Sequence, residues 1–145
     1  VLMHRPGKAN DWTLVTFDIH DMKRPGGSEL DALRDEPFDG EQAVASVRFV
    51  KGQWKGERAT LAITARRDLA HASSFIDAAP VQFDIYRLVA NRERIVGWPF
   101  YYFDLIAEFE SDKPYCNSDW ALMKALNLSL PENYQGPRAE GGCIP

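Results

Sequence analysis

No apolar run in this 145-residue chain approaches the roughly 20 residues that a membrane-spanning helix requires. There is no internal repeat, no low-complexity tract and no heptad pattern, so solenoids and coiled coils are set aside. Gly-rich phosphate loops, His-Glu-x-x-His helices and Gly-x-Ser-x-Gly elbows are also missing. Cysteine and histidine are scarce, with two and three residues. His20 beside Asp18 and Asp21 is one imidazole with carboxylates, and strand alternation puts Asp21 on the opposite face, so no metal or cofactor is expected.

What is present describes an ordinary folded domain. A hydrophobic fraction of 45% with 26% charged residues is that of a globular chain. Residues 1–145 read as one domain, large enough to bury a core without staples. The opening residues, Val1 to Gly7, are too short and too polar for an intact signal peptide. A start without methionine is compatible with a leader or anchor already removed.

Net charge is −4, unevenly spread. Between Arg48 and Arg67 lie six basic residues and one acid, Glu57, whereas between Asp104 and Asp119 lie five acids and one base, Lys113. Such separation steers charged partners. Nucleic acid is a poor candidate, because the overall balance is acidic and no binding motif accompanies the basic stretch.

Period-2 alternation predicts most of the fold. Trp12–His20 is the first strand candidate, followed by a turn at Pro25-Gly26-Gly27. Ser28 and Asp31 resemble a capping box opening a short helix that Pro37 must stop. Ala43, Ala45, Val47 and Phe49 form one face of a hairpin arm. Ala59, Leu61, Ile63 and Ala65 form the matching face of the next, with Thr60, Thr64 and Arg66 turned to water. Residues 51–57 connect the arms. Asp68 to Asp77 is either a short helix or an irregular connection. Strands follow at Val81–Val89 and Tyr101–Phe109. Asn117 or Ser118 caps a final helix carrying Leu122, Met123 and Leu126, which Pro131 ends. The expected class is α+β: a mostly antiparallel sheet of about five or six strands, sandwich- or barrel-like, with a C-terminal helix and an irregular tail.

Two readings of function compete. Cys116 precedes the helix and Cys143 lies near the end of the tail. Joined, they close a 27-residue loop, worth about 3.5 kcal/mol in the chain-entropy model, and imply an oxidising, extracytoplasmic, periplasm-like compartment. Left free, Cys116 is a thiol at a helix N-terminus, where the backbone favours a thiolate nucleophile.

The first reading is a non-enzymatic binding protein, an inhibitor or immunity-type protein that blocks a toxin or hydrolase. Trp54, between Lys51 and Lys55 at a hairpin end with Arg48 and Arg58 nearby, is its nominated contact. Tryptophan and arginine are enriched at interface hot spots, and the cations suit an anionic surface or cleft of another protein.

The second reading rests on a resemblance. Gly97-Trp98-Pro99-Phe100-Tyr101-Tyr102-Phe103-Asp104, then Asp112-Lys113-Pro114-Tyr115-Cys116-Asn117-Ser118 and the helix after it, resembles circularly permuted NlpC/P60-type papain-like hydrolases. In that family an aromatic-Cys pair opens a late helix and the histidine comes earlier. Over residues 97–128 the resemblance implies a cysteine amidase or peptidase, with Cys116 as nucleophile and His71 as base. A third reading is a structural subunit that pairs through an exposed strand edge.

Overall fold

A computed structural model describes residues 2–4, 12–14, 16–19, 28–30, 36–38, 42–94, 96 and 99–144, with side chains from Ala43 onward. Four long strands dominate: β6 (Gln42–Trp54), β7 (Glu57–Arg67), β8 (Val81–Ala90) and β9 (Tyr101–Glu110). They follow one another in space as in sequence, forming an antiparallel sheet. Short strands precede them: β1 (Leu2–His4), β2 (Trp12–Leu14), β3 (Thr16–Ile19), β4 (Ser28–Leu30) and β5 (Glu36–Phe38). β1 pairs with β2, β3 joins β9 in parallel and carries β4, and β5 lies along the start of β6. Among the described residues one α-helix, α1 (Ser118–Leu126), completes an α+β, β-rich fold.

The early segments depart from expectation. Trp12–His20 is two strands with different partners, Val15 and His20 lying outside the described residues. Ser28–Leu30 is not a helix start; it pairs with β3 in strand register, and ladder pairing overrides the local capping signal. Residues 31–35, the turn at 21–27, and the Gly97-Trp98 end of the hydrolase-like segment also lie outside the described residues.

Contacts divide the chain into two compact units, and every long strand contributes to both. One comprises residues 1–33, 49–62 and 85–107. Its core is Ala62, Tyr86 and Phe103, all essentially inaccessible, with Leu88, Tyr101 and Leu105 packed around them. Phe49 reaches the Phe103 ring at 5.8 Å.

The other unit comprises residues 34–48, 63–84 and 108–145. Here Ile63, Ala65, Val81 and Phe83 are buried, and Phe83 stacks on Phe109 at 4.9 Å. In this unit alternate residues of β7 and β8 are buried, but the buried set changes parity along both strands. Ala62 and Tyr86, out of step with the buried Ile63 and Phe83 sets, are core residues.

Helix α1 starts where the sequence places it. Asn117, nearly inaccessible, accepts hydrogen bonds through Oδ1 from the Asp119 and Trp120 backbone N–H groups at 2.9 and 3.2 Å. It satisfies donors that the first turn otherwise leaves open. Asn127 ends the helix in the left-handed region. The tail then returns to the helix start. Cys143 bridges to Cys116, the Cys116 N–H donates to the Gly141 carbonyl, and Gly142 lies against Asn117 and Trp120.

Candidate binding surface

The β6–β7 hairpin closes through Lys55 and Gly56 alone, so residues 51–54 belong to the strand rather than to a seven-residue loop. Both turn residues have positive φ, 49° and 83°. That is the geometry of a two-residue turn whose twist matches the strands it joins, and glycine takes the second position without steric cost. The tight turn projects Trp54 and its neighbours at the strand ends. Trp54 is half-buried, and the Lys55 ammonium lies 6.0 Å from its ring centroid. Lys51, Lys55 and Arg58 are exposed and make no ion pair among the described residues.

A depression of about 540 Å³ opens beside the hairpin end, lined by Trp54, Glu57, Arg58, Arg87 and Arg92 among others. A second hollow, about 480 Å³, is lined by Lys51, Gln53, Arg58 and Thr60. Arg87 and Arg92 are not singled out by the sequence, because Arg87 lies inside the expected Val81–Val89 strand and Arg92 in the polar stretch beyond it. Only the pairing of β7 with β8 brings them to Arg58.

Arg48 does not join this group. Its guanidinium pairs with the Asp119 carboxylate at the start of α1, next to a buried hydrogen bond of 2.6 Å between the Ser46 and Ser118 hydroxyls. Arg67 is drawn inward too. It is 2% exposed and donates to the backbone carbonyls of Tyr115, Phe75 and Asp77. Burial holds its pKa below the ordinary arginine value. This guanidinium organises residues 68–80, an irregular connection rather than a helix, with further bonds from the Ala70 and Ser74 N–H groups to Asp68 and Asp77 carboxylates.

The two residues of the hydrolase reading lie in this same unit. His71 is exposed on the 68–80 connection, and Cys116 is 3% exposed with its sulfur bonded to Cys143. Burial raises the pKa of the neighbouring Tyr115 phenol and that of Tyr134, while a hydrogen bond to Glu140 raises that of Lys113. Among the described residues, no group of three or more His, Cys, Asp or Glu side chains is placed to hold a metal ion. Among them, no helix is long and apolar enough to cross a membrane.

No family model matches the chain, and no curated protein matches it. Among solved structures, the crystal structure of CarG is similar at a TM-score of 0.50 and 20% identity, covering 92% of this chain and 83% of that one. At that identity the likeness shows the fold alone.

Proposed function

We propose that this chain is a small extracytoplasmic, non-enzymatic binding protein, of the inhibitor or immunity kind and at home in the periplasm. It acts by presenting the end of the β6–β7 hairpin to an anionic cleft on another protein. The observation that carries this reading is the hairpin end itself: a half-buried tryptophan beside a two-residue turn, flanked by exposed cations that no carboxylate among the described residues neutralises. A rigid aromatic anchor with a cationic surround loses little entropy on docking and is drawn to negative charge from a distance. The Cys116–Cys143 pair fits an oxidising compartment.

The hydrolase alternative needs Cys116 reduced, accessible and within hydrogen-bond reach of His71. The bonded, buried sulfur favours the binding reading over it. Immobilised protein is expected to capture a partner from periplasmic extract, and the double variant Trp54→Ala/Lys55→Ala is expected to lose it. Unchanged capture by that variant would remove the hairpin from consideration. Hydrolysis of cell-wall peptides that depends on Cys116 and His71 would replace the reading altogether.

A further inference from the structure

We propose that the depression beside the hairpin end is a carboxylate-binding site, built by Arg58, Arg87 and Arg92 beside Trp54, and that it receives an acidic segment of a protein partner. The inference rests on the hairpin being a binding surface and supplies the ligand chemistry of that surface.

Three arginines line one hollow of about 540 Å³, and among the described residues the exposed Glu57 is the one carboxylate residue in its lining. None of the three makes an ion pair among the described residues. Like charges gathered without counterions repel one another, and an anion relieves that repulsion. Arg87 adds a second observation: its Nε is buried and has no hydrogen-bond partner among the described residues. A buried donor on a charged group is costly to leave unmade, and an anion on the rest of this partly exposed guanidinium offsets part of that cost. The two terminal amino groups of one guanidinium form a fork that grips a carboxylate with two parallel bonds.

Phosphate would fit the same fork. Two features favour carboxylate. Glu57, in the lining, repels a phosphate dianion more than a single carboxylate. Trp54, on the same wall, gives the aliphatic stems of glutamate side chains a surface to lie on.

The test is calorimetric titration of the whole chain with a hexaglutamate peptide and, separately, with inorganic phosphate. Hexaglutamate is expected to bind, and Arg87→Met to weaken it by at least about tenfold, the scale of a lost charge-assisted hydrogen bond. Because the replaced donor was unsatisfied, Arg87→Met is expected to melt no lower than the parent. Arg87→Lys keeps the charge without the fork and should recover only part of the affinity. Arg92→Met, at an exposed position, provides a second variant that does not disturb packing.

Failure of hexaglutamate to bind, tighter binding of phosphate, or equal hexaglutamate affinity in both Met variants and the parent would each overturn the site. The two readings fail separately. Partner capture that needs Trp54 and Lys55, with hexaglutamate affinity indifferent to Arg87 and Arg92, sinks the site and spares the function. Loss of hexaglutamate in Arg87→Met, with capture intact in Trp54→Ala/Lys55→Ala, does the reverse.

Discussion

Replacing Gly142 by alanine probes how the tail is held on the helix, and Gly56 provides the control. Both residues have positive φ, 69° and 83°, where an L side chain is strained by about 1–2 kcal/mol. Both substitutions also reduce unfolded-chain entropy by the same amount, so that contribution cancels in the comparison. Their surroundings differ. A Cβ on Gly56 meets nothing within 4 Å, whereas one on Gly142 falls 2.7 Å from the Asn117 Cβ and 3.0 Å from the Trp120 Cβ.

Those atoms belong to the helix cap and first turn, close to the backbone, and no flexible side-chain end can move aside. Overpacking of that kind costs about 1–3 kcal/mol beyond the backbone strain. Gly56→Ala should therefore cost about 1–2 kcal/mol and Gly142→Ala about 2–5 kcal/mol. For a chain near this size the difference is a melting temperature lower by roughly 3–9 °C in Gly142→Ala. Thermal and urea unfolding of the two variants, in parallel and without reductant, measure it. Equal destabilisation would mean that the tail does not pack on Asn117 and Trp120, and would refute the reasoning.

Two further outcomes are expected. The double variant Cys116→Ala/Cys143→Ala opens a loop of sequence separation 27 and should lower stability by about 3.5 kcal/mol, read as a drop in the urea midpoint; a cost below about 1 kcal/mol would show that the bridge constrains little. Stability should also fall at alkaline pH. Burial raises the Tyr115 and Tyr134 pKa values above those of the unfolded chain, so their contribution is complete below about pH 10 and is lost as pH rises through the folded values. The Lys113–Glu140 hydrogen bond raises the lysine pKa and acts in the same direction. Melting curves on either side of that pH, with tyrosinate absorbance followed in parallel, check it, and a flat profile contradicts the burial of the two phenols.

The elements that sequence periodicity predicts well are those that satisfy it locally. Strands expected over Val81–Val89 and Tyr101–Phe109 are found at Val81–Ala90 and Tyr101–Glu110, and the helix begins at its polar cap. Ser28 shows the opposite case: a capping signal with no amphipathic run behind it yields to strand pairing. The seven-residue connection at 51–57 contracts to two residues because Lys55 adopts a left-handed conformation usually left to Asn, Asp or Gly. Arg67 was illegible for another reason. Arginine at a strand end is ordinarily solvated, and only the convergence of three distant carbonyls makes its burial tolerable.

The same distinction governs the candidate site. A run of six basic residues looks in one dimension like a single cationic face, yet the fold sorts it by available partners. Arg48 finds Asp119, and Arg67 finds backbone carbonyls, so neither projects much field toward a ligand. Lys51, Lys55 and Arg58, near the hairpin end, find no carboxylate among the described residues. Arg87 and Arg92, which the basic run does not include, add to them from β8 and the turn after it. Charge that is neutralised internally stabilises or organises the fold; charge left unneutralised is what a partner meets. On that argument the recognition surface is defined less by the density of cations in the sequence than by which of them the fold leaves without a counterion among the described residues: Lys51, Lys55 and Arg58 gather near Trp54, whereas Arg66, likewise exposed and unpaired, belongs to the other unit and has no such aromatic beside it in the chain.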